Sequence, residues 1–133
     1  MVKALFLIIL FFGTNLKCQE LNDKKFYAQL NHSCRATTSG AFDIYTFLVL
    51  EFKNNKMYPS YLEIPSQQQN SIEDPIAYTF ENKIINLAKP LDSKENLGAA
   101  FIYKNGNLVP RNKQNDPKFI FRPSLDHYFK RNK

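Results

Sequence analysis

Residues Ala41 to Pro65, AFDIYTFLVLEFKNNKMYPSYLEIP, constrain this chain more than any other stretch. Side chains of an extended strand alternate between two faces. Phe42, Ile44, Leu48, Leu50 and Phe52 then share one face. Tyr45, Phe47 and Val49 share the other, with Asp43 and Glu51 at its ends. Asn54-Asn55 stands where a two-residue turn is needed, and Asn accepts positive φ better than most residues. Closing the chain there pairs Phe52 with Met57, Leu50 with Pro59 and Leu48 with Tyr61. The opposite face pairs Glu51 with Tyr58, Val49 with Ser60 and Phe47 with Leu62. A slip of one residue would set apolar against polar groups, so this register is the favoured one.

Ahead of the hairpin, Lys3 supplies a positive start, and Ala4–Phe12, ALFLIILFF, is an unbroken apolar run with a polar exit through Cys18. That order is the pattern of a secretory signal peptide. The run is about half of the ~20 residues that span a bilayer as a helix, and no later stretch is long enough to span one. The expected division is a leader over residues 1–18 and one small β-barrel domain over residues 19–133. The expected location is the outside medium or a periplasm.

Cleavage after Cys18 makes Gln19 the first residue, whereas cleavage after Gly13 or Asn15 keeps Cys18. A lipid anchor on Cys18 wants a small residue before it, and Lys17 stands there instead, which argues against acylation. If Cys18 is removed, Cys34 is alone; if it stays, a Cys18–Cys34 bridge can staple the N-terminus in an oxidising compartment. Either way this is no disulfide-built scaffold. The remainder suffices for one modest core, burying roughly 65% of the unfolded surface.

Without Lys3 and Lys17, 16 basic residues face 12 acidic ones. The excess is concentrated. Lys104–Lys133 holds 8 basic and 2 acidic residues, whereas Gln19–Tyr103 holds 8 and 10. A basic C-terminal third can meet an anionic partner, or simply form a solvated face.

Along the chain, Phe26–Cys34 reads as a strand with Phe26, Ala28, Leu30, His32 and Cys34 on one face. Arg35–Gly40, RATTSG, reads as a loop by composition. After the long hairpin, Ser66–Pro75 is a polar connection. A second hairpin turns at Asn82-Lys83 and pairs Phe80 with Ile85 and Tyr78 with Leu87. Ala88–Gly98 holds a single helical turn, capped by Asp92 with Glu95 at capping-box spacing and stopped by Gly98. A third hairpin turns at Asn105-Gly106, pairing Tyr103 with Leu108 and Ile102 with Val109. Lys118–Arg122 is a last short strand. Ser124 then caps a short helix whose apolar stripe is Leu125, Tyr128 and Phe129. Asp126 in its first turn and Lys130, Arg131 and Lys133 in its last suit the helix dipole.

The expected fold is therefore all-β: a single antiparallel meander of about eight strands, closed into a small barrel or strongly curled, with a short C-terminal helix. Eight strands suffice to close a barrel that is filled or holds one small ligand, and closure removes exposed edges. One face of the long hairpin fills the barrel, and the terminal helix is the best cover for the other.

The leader, the meander and the helix together resemble a small secreted lipocalin-like domain. The matching stretches are FDIYTFLVLEFKNNKMYPSYL, YTFENKIINL and FIYKNGNLV…KFIFR. The chain has no Trp, and Phe26-Tyr27 stands where the family's Gly-x-Trp would be. The resemblance implies a calyx for an apolar ligand. Leu48, Leu50, Phe52, Tyr61, Tyr78 and Phe80 are the interior candidates to line it.

His32 and Cys34 can be read as a Cys–His pair or as two metal ligands, since a neighbouring His lowers a thiol's pKa. Without a third ligand or an orienting carboxylate at a telling spacing, a core Cys beside a hydrogen-bonded His is the simpler reading. His127 is expected to be an exposed polar residue. The chain lacks HExxH, CxxC, GxSxG, P-loop and GxGxxG patterns, so no enzyme activity, metal or cofactor is expected. Aromatic residues interleaved with Lys104, Arg111, Lys113, Lys118 and Arg122 are like those of an oligonucleotide-binding surface, but export argues against nucleic acid. The function expected is an exported, non-catalytic binding domain for a small apolar ligand. The alternative is a secreted protein–protein module of the inhibitor or immunity type.

Overall fold

In the computed structural model, which describes residues 21–129, Asn54 and Asn55 both take left-handed backbone angles, with φ of 53° and 62°. They close the long hairpin between β2 (Gly40–Lys53) and β3 (Lys56–Ile64) at the corner that the alternation predicts. Every pair named above for this hairpin is observed, from Phe52 with Met57 to Phe47 with Leu62. The expected signal peptide and the question of Cys18 lie outside the described residues.

Three further hairpins surround this one. β1 (Lys24–Thr37) runs antiparallel to β2 along its whole length. β5 (Ile76–Glu81) and β6 (Ile84–Leu87) turn at Asn82-Lys83, and β7 (Ala100–Lys104) and β8 (Asn107–Pro110) turn at Asn105-Gly106. Both turns take the positive φ values of a type I′ geometry. Their registers match the predicted ones, with Tyr78 against Leu87 and Tyr103 against Leu108. The sheet runs β1-β2-β3-β5-β6-β7-β8, with β4 (Gln68–Ser71) paired to β3 off this path.

The sheet nearly closes into a barrel through two residues. Phe121 bridges β8 at Leu108, and Arg122 bridges β1 at Tyr27. Four backbone hydrogen bonds of 2.7–2.9 Å make these bridges. Phe121 is fully buried and meets Phe101 edge-to-face at 5.9 Å.

Four segments differ in secondary structure from the sequence patterning. Arg35–Gly40 is not an open loop: β1 runs on to Thr37, and only Thr38 and Ser39 form the turn. The Thr37 hydroxyl holds that turn by donating to the Gly40 carbonyl at 2.7 Å. Ser66–Pro75 includes a strand, β4, because the polar QQNS segment folds back on β3 after the cis Ile64-Pro65 bond. Ala88–Gly98 forms no helical turn; Leu91 and Leu97 turn into the core, and Leu91 N–H donates to the Gly98 carbonyl at 3.0 Å. Lys118–Arg122 shortens to the two bridge residues, preceded by a 3-10 turn over Pro117–Phe119.

The fourteen-residue ribbon of β1 and β2 is longer than the barrel wall. Its far part, Asn31–Phe42, is exposed throughout. At its base sits a β-bulge: Gln29 faces Phe47 and Asn31 faces Thr46, so Leu30 is the extra residue. The bulge reverses which β1 residues point outward. Phe26 and Ala28 face the core, but His32 and Cys34 do not, contrary to the single face that alternation alone implies.

Helix α1 (Asp126–Phe129) starts as expected, with the Ser124 hydroxyl accepting from Asp126 N–H at 3.1 Å. Phe47 and Val49 are buried on the outer side of β2. The rings of Tyr128 and Phe129 lie 5.1 and 5.9 Å from Phe47. The helix therefore covers the second apolar face of the hairpin. Lys130, Arg131 and Lys133 lie outside the described residues.

Candidate functional site

The six interior candidates divide by depth. Leu48, Leu50, Phe52, Tyr78 and Phe80 belong to one buried cluster, and Tyr61 packs against it half-buried. Their rings meet each other across the barrel. Phe52 lies edge-to-face on Phe26 at 5.8 Å and on Tyr78 at 5.0 Å. Tyr103 links Phe26 and Phe80 at 6.3 and 5.9 Å. Such ring contacts contribute about 0.5–1.5 kcal/mol each beyond the area they bury.

At one mouth of the barrel, the loop between β6 and β7 packs over this cluster with Leu91 and Leu97. Glu73, whose side chain is only 9% exposed, holds that loop. Its carboxylate pairs with Lys89 and accepts Asp92 N–H at 2.6 Å. Burial pushes the Glu73 carboxyl up, but Lys89 and the Asp92 N–H outweigh it and hold it below its ordinary value. Burial and then the neighbouring Glu95 carboxylate push the Tyr61 phenol up.

The outer wall carries a second cluster at the base of the exposed ribbon. His32 stacks on Tyr45 with centroids 4.4 Å apart and an interplanar angle of 6°. His32 Nε2 lies 3.0 Å from Asp43 Oδ1. Phe129 meets Tyr45 edge-to-face at 5.0 Å. The Tyr128 hydroxyl donates to the Tyr27 carbonyl at 2.9 Å, tying the helix to β1. Burial pushes the Tyr128 phenol up.

Cys34 is exposed and pairs across the ladder with Asp43, so it is not the core thiol that the sequence suggested. The bulge at Leu30 is the reason. The carboxylate orienting His32 was missed because Asp43 is eleven residues away and meets it only through the ribbon register. Among the described residues, no group of three His, Cys, Asp or Glu side chains stands ready to hold a metal. His127 is exposed, as expected.

The basic C-terminal third forms shallow relief. Open clefts of about 520 and 230 Å³ lie along Arg111–Asp116 and beside Lys104, Asn107 and Gln114. A third of about 310 Å³ lies beside Gly98 and Arg111. None of the three is lined by any of the six interior candidates. Among the described residues, no helix is long and apolar enough to cross a membrane.

Comparison of the chain with family models, with curated proteins and with solved structures finds no match.

Proposed function

We propose that this chain is an exported, non-catalytic binding domain that contacts a partner protein through its outer surface. Export rests on Lys3 and the ALFLIILFF run. The single observation that carries the choice of surface is the state of the interior. Phe26, Phe52, Tyr78, Phe80 and Tyr103 engage one another ring to ring. A small ligand there would have to displace rings, each worth several kcal/mol of burial.

The outer wall is better suited to contact. A ribbon exposed over Asn31–Phe42 carries Phe42 on its β2 strand, 40% exposed, braced from below by the aromatic cluster. The alternative, a lipocalin-like binder of an apolar molecule, is supported by the nearly closed eight-stranded meander and its apolar filling.

One experiment separates the two. The purified chain and its Phe42→Ser variant serve as bait against the envelope fraction of the exporting cell at low salt. A naphthalenesulfonate dye is titrated against both in parallel. A protein retained by the parent and lost by the variant, with no saturable dye uptake, is the expected result. Saturable one-to-one dye binding quenched through the interior tyrosines would reverse the assignment in favour of the calyx.

A further inference from the structure

The bridges at Phe121 and Arg122 close the barrel's seam but do not reach along the ribbon. On β1, the last residue paired on the side away from β2 is Tyr27, which meets Arg122. Among the described residues, no backbone pairs with Asn31–Thr37 on that side. Neighbouring proteins protect such edges from one another with Lys, Pro or inward charges. Asn31–Thr37, NHSCRAT, has neither Lys nor Pro and a single charge, Arg35.

Ladder parity fixes which groups are free. In an antiparallel pair, alternate residues direct both N–H and C=O to the same neighbour. The Asn54-Asn55 turn makes Lys53 and Lys56 a hydrogen-bonded pair, so odd-numbered β2 residues serve β3 and even-numbered ones serve β1. The partners of Thr46, Ile44, Phe42 and Gly40 are Asn31, Ser33, Arg35 and Thr37. These four therefore spend their backbone groups on β2. His32, Cys34 and Ala36 direct theirs outward, in a row. The seven residues extend about 24 Å.

We propose that this edge pairs with the same edge of a second copy, antiparallel and about a two-fold axis at Cys34. In that register His32 faces the second copy's Ala36, Cys34 faces its Cys34, and Arg35 faces its Ser33. Three hydrogen-bonded pairs exchange about six bonds, with no like charges opposed. Centring on Arg35 instead would oppose two guanidinium groups, and centring on Ser33 would draw the Leu30 bulge into the ladder. One contact satisfies both copies' edges, as an isologous interface does. Antiparallel ribbons also place the two barrels at opposite ends, which keeps apart two barrels that each carry 16 basic against 12 acidic residues beyond residue 18. An edge contact of this size falls below the standard interface, so the pairing is weak and concentration-dependent.

Sedimentation of the purified chain from about 10 μM to about 1 mM reads the association, which at this interface size belongs to the weak, low-area class. A monomer–dimer equilibrium is expected. Ala36→Pro removes one outward N–H and no bond to β2, so it should weaken dimerisation at least tenfold while circular dichroism stays unchanged. Ala41→Pro makes the same change on the opposite edge of the ribbon and should leave dimerisation intact. A short bis-maleimide should join Cys34 to Cys34 in the unsubstituted chain, a readout that needs no folding of a variant. A chain monomeric throughout overturns the proposal. So does a dimer that ignores Ala36→Pro, one that Ala41→Pro weakens equally, or one that yields no Cys34 cross-link. Capture of a partner protein in the bait experiment does not bear on any of these readings.

Discussion

Replacing Phe121 by Ala tests whether two bridge residues do the closing of this barrel. The ring is fully buried and sits edge-to-face on Phe101 at 5.9 Å. A Phe buries about 150–250 Å², which at ~25 cal/mol/Å² is an upper bound of about 4–6 kcal/mol. Phe→Ala substitutions in cores cost about 3–5 kcal/mol once partial collapse of the site is counted. Alanine keeps the main-chain bonds to Leu108 and leaves Arg122 bonded to Tyr27, so the ring alone is perturbed. Against a domain stability of ~5–15 kcal/mol, the loss is roughly a fifth or more. Urea unfolding followed by circular dichroism should show the midpoint falling by about 2–3 M for an m-value near ~1.5 kcal/mol/M. The companion Phe42→Ala removes a ring that is 40% exposed on the free ribbon and should change stability by less than ~0.5 kcal/mol. A Phe121→Ala cost below ~1 kcal/mol at unchanged m would refute the reasoning, because the seam would then bury nothing that matters.

Three other outcomes follow from named contacts. Asn55→Val places a β-branched residue at φ 62° and should cost about 1–2 kcal/mol, whereas Asn55→Gly should be neutral or stabilising by thermal melting. Glu73 has a folded pKa below its unfolded one, so its contribution is present above the unfolded value near 4.5 and is lost as pH falls through the lower, folded value. Glu73→Gln should therefore flatten that acid limb of the stability–pH profile, and an unchanged limb would show that the carboxylate does not hold the loop. Tyr128→Phe deletes the hydroxyl that donates to the Tyr27 carbonyl but keeps the ring on Phe47; it should cost about 1 kcal/mol and speed hydrogen exchange at the foot of the ribbon.

Much of this architecture was legible because antiparallel hairpins are local. Asn54-Asn55, Asn82-Lys83 and Asn105-Gly106 each set a register within about ten residues, and the apolar alternation could agree with only one choice. The C-terminal helix was legible for the same reason, through Ser124 and the Tyr128–Phe129 stripe. The β4 strand was not, since QQNS carries no apolar signal and pairs only because β3 offers an edge there.

Local chemistry by itself determined the hairpins, their corners and the existence of two apolar faces on the central ribbon, since strand period and turn φ depend on near neighbours only. Tertiary structure decided what those faces meet. The bulge at Leu30 carried His32 and Cys34 from the core side to the outer side, because one extra residue reverses every later side chain of a strand. The ring closure joins Arg122 to Tyr27, about ninety-five positions away, and no period in the sequence records it. The burial of Glu73 beneath a distant loop is equally a product of assembly, as is the ribbon that outruns the wall.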